Sequence, residues 1–299
     1  MLEPLPKILT YVFLVSTMLV IGLTVTGGEI LTALRDRRLM GRVLLANFVL
    51  VPLLGYLLIV FIPLSPGTKL ALALLALAPG GLTAIQFTDK VKGNLAFAAA
   101  VAFVLTILSI VVTPILVKVL LPLEIGLDLP FMRIILFVLL YLLLPLGVAF
   151  AIRSRSEKGA GAMGKIMLII SNVSFVTTIL VTSAMKKEAM GSVGKSTVLA
   201  MLLFVVLSMV IGWWMGGPSG RGNRRVMAIA TSMRNAGLCL IMAMRMFPES
   251  GADVAVIAFM GLMVPPNMLF TVYHAVRERR RSKKVAPSGG AGKNGTAQT

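Results

Sequence analysis

Two long apolar segments of this sequence contain helix-breaking and polar residues, and binding chemistry is possible at these positions. The first segment combines helix breakers with hydroxyl and amide groups at Pro79, Gly80, Gly81, Thr83, Gln86 and Thr88. The second segment places a cation, an amide and a glycine close together at Arg234, Asn235 and Gly237. Broken backbone at membrane depth is tolerated only where it is buried in protein or lines a cavity. We therefore predict that both breaks line one binding site.

Arg234 is the only one of these residues with a formal charge. A charge inside an apolar segment is costly and usually functional. The guanidinium stays protonated and can bind a carboxylate through two parallel hydrogen bonds, so we expect Arg234 to bind an anionic substrate. Two alternatives remain open: the side chain extends toward the cytoplasmic surface, or it forms a structural ion pair with Asp89.

Other polar residues are weaker candidates. A buried Asp89 carboxylate could carry a proton as the coupling group, although Lys90 and Lys92 beside it favour a solvated loop. Asn267 follows a Pro-Pro pair and either faces the cavity or caps a proline kink. A polar stripe in the sixth apolar segment, which more often packs helices than binds a ligand, consists of Ser171, Asn172, Ser174, Thr177 and Thr178.

Residue arrangements typical of catalysis are absent from the sequence. His274 is the single histidine and Cys239 the single cysteine, and no metalloprotease, nucleotide-binding or serine hydrolase motif is present. A lone cysteine also excludes a disulfide framework and a thiolate metal site. The sequence therefore predicts a protein that binds or moves a ligand, rather than an enzyme, and it predicts no cofactor and no structural metal.

The composition indicates which elements hold these residues. Hydrophobic residues make up 58% of the 299 residues and charged residues 13%, and the mean hydropathy is +0.95, whereas soluble domains contain about 25% charged residues. This predicts an all-α integral membrane protein. A spanning helix needs about 20 apolar residues, and about nine segments qualify: 5–27, 43–62, 69–92, 94–121, 130–152, 165–184, 196–215, 226–246 and 252–276.

The two breaks occupy equivalent positions in two sets of four spans. Each break lies in the third span of its set, and the sets flank the 130–152 span, so they enter the membrane from opposite faces. This order predicts inverted repeats at about 5–121 and about 165–276, with two broken helices that cross at the site. Residues 1–276 would then form a single membrane domain.

Basic residues are concentrated on alternate connections between the spans. The formal charge is +18, but Lys and Arg cluster near 35–42, 153–158 and 221–225 and after Arg277. Basic loops stay in the cytoplasm, which predicts an outside N-terminus and a cytoplasmic C-terminus in the cell membrane and explains the charge without nucleic acid. Residues 277–299 have too little apolar content to fold and are predicted to be a disordered, basic cytoplasmic tail.

Four motifs, in order from about Leu14 to Tyr273, resemble the bile acid:sodium symporter family. They are Ile21-Gly22-Leu23-Thr24, Ala46-Asn47-Phe48 with Pro52-Leu53-Leu54, Pro79-Gly80-Gly81 with Lys92-Gly93-Asn94, and Arg234-Asn235-Ala236-Gly237-Leu238. The resemblance implies a panel domain, a core domain with two crossing broken helices, and sodium-driven uptake of organic anions such as bile acids or small carboxylates.

The positions that the resemblance assigns to sodium differ from the family pattern. Where the family holds one sodium with a Ser-Asn pair and two hydroxyls, this chain has Ala84, Ile85, Ala98 and Ala102. Where the family holds the second with a Glu and two Gln side chains, this chain has Ala230, Arg234 and Asn47. Because alanine and isoleucine side chains supply no oxygen, sodium binding is expected to be weakened or lost, with Arg234 as a permanent cation in its place.

Taken together, these observations predict a secondary-active transporter of small organic anions, of the bile acid or small-carboxylate type, whose dependence on sodium is open. The alternative is a membrane protein of the same fold that binds a ligand and signals without transporting it. The predicted partners are the organic anion and the lipid bilayer, and the oligomeric state is unknown. The predicted substrate site consists of Arg234, Asn235, Asn47, Pro79, Gly80, Gly81, Thr83, Gln86, Thr88 and Asn267.

Overall fold

The computed structural model describes residues 4–80, 82–91, 93–125, 131–191 and 193–285. These ranges are almost entirely helical, as the sequence predicts. The helices are α1 (Leu5–Thr24), α2 (Gly27–Arg35), α3 (Arg37–Leu45), α4 (Val51–Phe61), α5 (Pro66–Leu77), α6 (Leu82–Lys90), α7 (Leu95–Ile125), α8 (Phe131–Val138), α9 (Leu144–Arg155), α10 (Glu157–Met185), α11 (Lys187–Gly191), α12 (Lys195–Met215), α13 (Arg221–Ser232), α14 (Ala236–Met246), α15 (Ala252–Leu262) and α16 (Val264–Val285).

Long apolar helical stretches account for most of the predicted spans. Within the described residues, six are long and apolar enough to cross a membrane: Leu5–Thr24, Arg37–Phe61, Ile135–Arg155, Glu157–Met185, Lys195–Met215 and Ala252–Glu278. Two of them contain a π-helical turn, at Ala46–Leu50 and Leu139–Leu143. The predicted third and eighth spans are each divided into two short helices, α5 with α6 and α13 with α14. The fourth predicted span is α7.

The spans form two packed groups. α1 packs along α9 and α10, and we call these three helices the panel. The core consists of α3 to α7 and α12 to α16, which pack mainly against one another. Glycines allow close helix approach in both groups. A Cβ on Gly22 of α1 would lie 2.7 Å from the Cβ of Ala149 on α9, and one on Gly212 of α12 would lie 2.8 Å from the Cβ of Thr231 on α13.

The last helix continues beyond the span that the sequence predicts. α16 runs to Val285, so residues 277–285 are helical, whereas the sequence predicts that the disordered tail starts at 277. Arg, Glu and Lys have high helix propensity, and they extend a helix that the membrane-spanning part has already nucleated. The rest of the predicted tail, residues 286–299, lies outside the described residues.

Candidate functional site at the helix crossing

The break between α5 and α6 lies against the break between α13 and α14. Pro79 and Arg234 form an isolated antiparallel β-bridge, and the N–H of Asn235 donates to the carbonyl of Ala78 over 3.1 Å. Gly80 has a φ of 89°, in a region that residues with a side chain rarely adopt. The two crossing broken helices predicted from the sequence are therefore present, and extended backbone joins them.

Arg234 lies inside the core at this crossing, with 1% of its surface exposed. Its guanidinium donates from Nε to the carbonyl of Leu75 (2.9 Å), from Nη1 to the side-chain oxygen of Asn47 (3.0 Å) and from Nη2 to the carbonyl of Ala76 (2.6 Å). A guanidinium has five N–H groups, so these bonds leave two for other acceptors. The side chain does not extend to the cytoplasmic surface, which excludes the first alternative left open by the sequence.

The three acceptors form a concave set of oxygen atoms, which we call the oxygen cradle: the carbonyl oxygens of Leu75 and Ala76 and Oδ1 of Asn47. The final carbonyls of a helix have no partner within it and carry the negative end of the helix dipole, and Leu75 and Ala76 lie in the last turn of α5. Nδ2 of Asn47 donates to the carbonyl of Val43 over 3.0 Å, which leaves Oδ1 to face Arg234. The guanidinium therefore caps the C-terminus of α5, an interaction that stabilises by up to about 2 kcal/mol when partly buried.

Arg234 has no carboxylate partner among the described side chains. The ion pairs found among them are Arg153–Glu157, Lys186–Asp253 and Arg225–Glu278. The side chain of Asp89 lies outside the described residues, so the proposed pair with Asp89, and its proton-coupling role, stay predictions. The buried positive charge is thus balanced, within the described part of the chain, by neutral oxygen dipoles of the kind that also coordinate small cations.

Apolar side chains fill the positions that the resemblance assigns to sodium. Ala84, Ile85, Ala98, Ala102 and Ala230 are all buried, with at most 8% of their surface exposed. Two described hydroxyls bond to the carbonyls of these residues: that of Thr88 donates to the carbonyl of Ala84 and that of Thr106 to the carbonyl of Ala102, both over 2.7 Å. These five side chains supply no ligand oxygen, and two of the adjacent carbonyls already accept a hydroxyl.

Asn267 joins two core helices through a side-chain hydrogen bond. Its Oδ1 accepts a hydrogen bond from the hydroxyl of Ser232 on α13 (2.8 Å), and its Nδ2 donates to the carbonyl of Met263 (2.9 Å) in the break before α16. This geometry agrees with a capped kink, the second of the two interpretations of this residue. Gly81 and the side chain of Thr83 lie outside the described residues, so their assignment to the site stays a prediction.

A narrow crevice separates the crossing from the panel. It has a volume of about 20 Å³, which is room for about one water molecule. Gln86 of the core donates from Nε2 to Oδ1 of Asn172 on α10 (2.9 Å), so a hydrogen bond spans the crevice. Its lining residues are Phe13, Thr17, Leu82, Gln86, Ser171, Asn172, Phe175, Arg234, Asn235, Ala236 and Met263. In this conformation the panel and the core are closed on each other.

The sequence identified the core side of the crevice better than the panel side. The predicted residues Gln86, Arg234 and Asn235 line the crevice. The panel residues Phe13 and Phe175, whose ring centres lie 5.2 Å apart, also line it but are not among the predicted site residues. An aromatic side chain in an apolar span fits lipid as well as it fits a cavity, so the sequence carried no signal for them. The stripe on α10 was a signal for Ser171 and Asn172, but it was interpreted as helix packing.

Comparisons with known proteins agree with this architecture. The family model described as "Sodium Bile acid symporter family" matches residues 11–212, a range that includes the first break and ends before the second. Among similar proteins, the "Probable sodium/metabolite cotransporter BASS2, chloroplastic" of Oryza sativa subsp. japonica is 26% identical over 234 residues, which cover 77% of this chain and 55% of that protein.

A second similar protein is the "Uncharacterized sodium-dependent transporter YocS" of Bacillus subtilis (strain 168). It is 26% identical over 242 residues, which cover 77% of this chain and 68% of that protein. The chain therefore spans little more than half the length of the rice relative and about two thirds of the bacterial one.

Proposed function

Since this chain belongs to the sodium bile acid symporter family, we propose that it is a secondary transporter that moves a small organic anion across a membrane without needing sodium. The two relatives are named as a sodium/metabolite cotransporter and a sodium-dependent transporter, which supports transport as the activity. The proposed substrate is a bile acid or small carboxylate, and its proposed site is the crevice between panel and core.

The observation that carries the proposal is the guanidinium of Arg234 in the oxygen cradle. Sodium drives transport because it binds on one side of the membrane and leaves on the other, so that its gradient supplies free energy. A guanidinium attached to the chain neutralises the same kind of oxygen site but can neither leave nor exchange. A transporter with this fixed cation therefore works as a uniporter or an exchanger of its anion, and its rate does not follow the sodium gradient.

The charge around the crevice supports an anionic substrate. Arg234 lines the crevice and has two N–H groups beyond those bound to the oxygen cradle. The N-terminus of α14, with Asn235 as its N-cap, lies at the same place, and a helix N-terminus attracts negative charge. The other polar groups, on Gln86, Asn172 and Ser171, are neutral hydrogen-bonding groups that suit the oxygens of a carboxylate.

The orientation proposed for the chain follows from its basic loops. Helices end at Arg35 and Arg155 and begin at Arg221, at connections that the sequence assigns to one side, and the positive-inside rule places that side in the cytoplasm. The connections after α4, α10 and α14 then lie outside, and the proposed location is the cell membrane.

The test is uptake of labelled anions into proteoliposomes that contain the purified chain. Bile acids and small carboxylates, including 2-oxo acids, are offered with an imposed sodium gradient, with a proton gradient, or in choline buffer without sodium. We expect saturable uptake at the same rate, within about twofold, with and without sodium. Uptake that requires an inward sodium gradient would overturn the sodium-independent mechanism.

Matched variants connect the result to Arg234. Arg234→Gln removes the fixed cation, and we expect uptake in choline buffer to fall at least tenfold. The control is Arg224→Gln, which removes a guanidinium on α13, ten residues before Arg234. The guanidinium of Arg224 stacks on the ring of Trp213 at 4.4 Å, away from the cradle, so uptake by this variant should match the parent. Absence of uptake by the parent under every gradient would favour the ligand-binding alternative.

A further inference from the structure

Two polar contacts join the panel to the core near one membrane face. Lys186, at the end of α10, forms an ion pair with Asp253 in the first turn of α15. Nε of Arg245 on α14 donates to the hydroxyl of Tyr11 on α1 over 3.1 Å, and its guanidinium lies 5.7 Å from the centre of that ring. Both contacts connect a panel helix with a core helix, so both must break if the two groups separate on this side. We call these two contacts the outer latch.

A cavity lies beside the outer latch, between the same two groups. It has a volume of about 360 Å³, far larger than the crevice. The panel contributes Lys7, Thr182 and Lys186, and the core contributes Phe247, Glu249 and Asp253. We call this cavity the vestibule. The connection after α10 lies on the face opposite the basic loops, so the vestibule faces the outside in the proposed orientation.

One face of α10 connects the vestibule with the crevice. Ser171, Ser174, Thr178 and Thr182 are buried and lie three or four residues apart, so they share a face of the helix. Ser171 lines the crevice and Thr182 lines the vestibule. The eleven residue steps from Ser171 to Thr182 correspond to about 16 Å along the helix axis. We call these four side chains the hydroxyl stripe.

Two members of the hydroxyl stripe have no hydrogen-bond partner in the part of the chain that the structure describes. The hydroxyls of Thr178 and Thr182 are buried and find no acceptor or donor among the described residues, although a threonine in a helix usually bonds the carbonyl of the preceding turn. An unpaired buried hydroxyl is unfavourable, because it has lost the hydrogen bonds that it would make with water. The closed conformation therefore carries this cost at both threonines. An open conformation that admits water or a polar ligand along α10 would satisfy both of them.

We propose that the hydroxyl stripe is the panel wall of the route by which the anion passes between the vestibule and the crevice, and that the outer latch holds this route closed. The proposal rests on the transport function proposed above. Because Lys186 and Asp253 are 44% and 13% exposed, the ion pair between them is weak, so a modest change is enough to open the route. The outer latch determines how often panel and core separate on the outer side. When they separate, the hydroxyls of Thr178 and Thr182 face the open route.

The experiment measures access to Thr178 without using a substrate. Thr178→Cys is introduced together with Cys239→Ala, and a membrane-impermeant thiol reagent is applied from the outside to vesicles of known orientation. We expect slow labelling when the outer latch is intact. Asp253→Asn should raise the initial labelling rate about threefold or more, the size expected from losing one partly exposed ion pair. The charge-exchanged variant Lys186→Asp/Asp253→Lys should restore the slow rate.

A second buried threonine is the matched control. Thr113 on α7 is 1% exposed and donates to the carbonyl of Leu77 inside the core, so Thr113→Cys should stay unlabelled whether or not Asp253 is replaced. Return of the slow rate in the charge-exchanged variant also shows that the chain is folded. Labelling of Thr178→Cys that is equally fast with and without the latch, or that occurs only from the cytoplasmic side, would overturn the inference.

The outcomes separate this inference from the proposed function. A labelling rate that depends on the latch, in a chain that transports no anion, would reject the transport function but keep the opening movement. If replacing Asp253 leaves the labelling rate unchanged in a chain that transports anions, the role of the outer latch is rejected and the transport function is kept.

Discussion

Replacing Arg234 with alanine should empty the oxygen cradle and create a site for a free cation. Three hydrogen bonds from a charged donor are lost, each worth about 1.5–3 kcal/mol. Removing a buried charge recovers several kcal/mol of desolvation, so we expect a net destabilisation of about 2–4 kcal/mol. A small cation that fits the cradle should reverse part of this loss. The measurement is the thermal unfolding midpoint of the purified variant, with and without added cation.

Guanidinium is the appropriate cation because it reproduces the missing group. At 20 times its dissociation constant it would stabilise the variant by about 1.8 kcal/mol, and a concentration of tens of millimolar is far below denaturing conditions. Sodium should act in the same direction, since the cradle consists of oxygen atoms, whereas choline is too large to enter. Uptake by Arg234→Ala in proteoliposomes should recover with the same cations and in the same order.

The control variant is Arg224→Ala, because its guanidinium stacks on Trp213 and donates to the backbone carbonyl of that residue, away from the cradle. Neither guanidinium nor sodium should change its midpoint beyond their effect on the parent chain. If Arg234→Ala were as stable and active as the parent without any added cation, the fixed cation would have no role. Equal rescue by choline would show a general salt effect and would also refute the reasoning.

Three further predictions concern the same region. The double variant Ala230→Glu/Arg234→Gln installs two of the side chains with which the family is expected to bind sodium, so its uptake should become faster with sodium than with choline. Uptake by Ala230→Glu alone should not depend on sodium, because the new carboxylate can pair with Arg234. Gly237→Ala should lower uptake, since a Cβ there would lie 2.8 Å from the ring of Phe13 and would separate panel from core; adding Phe13→Leu should restore it. Asn267→Leu should lower the thermal midpoint by the equivalent of about 1–3 kcal/mol but leave the KM for the anion unchanged, because this amide bonds within the core.

Local signals in the sequence were sufficient to predict the spans and the breaks. Hydropathy identifies a segment long enough to cross a bilayer, and a Pro-Gly-Gly run in the middle of such a segment favours a break, because proline has no N–H donor and glycine readily adopts a positive φ. For this reason Pro79, Gly80 and Arg234 were placed correctly at a crossing of two broken helices, which the β-bridge between Pro79 and Arg234 confirms.

Two of the three partners of Arg234 could not be predicted in the same way. Two of its three acceptors are backbone carbonyls, those of Leu75 and Ala76, and every residue in the chain has such a carbonyl. Which helix end lies beside the guanidinium depends on how the breaks cross, which no local pattern encodes. The sequence therefore predicted a cation that binds the substrate and stands, with Asn47, where the family holds a sodium. It did not predict the two carbonyl acceptors at the C-terminus of α5.

The position of the fixed cation has a consequence for the direction of the proposed transport cycle. Arg234 and all three cradle oxygens belong to the core, so the positive charge stays with the core when panel and core move relative to each other. An anion bound in the crevice neutralises the charge of Arg234, but without the anion the core moves this charge uncompensated, which costs up to about 2.3 kcal/mol per 100 mV of membrane potential. If the core returns with a second anion bound, this cost is avoided, so exchange of anions should be faster than net uptake. Unlabelled anion loaded inside proteoliposomes should therefore accelerate uptake of labelled anion from outside. Equal uptake into empty and loaded vesicles would mean that the charge of Arg234 does not enter the moving step.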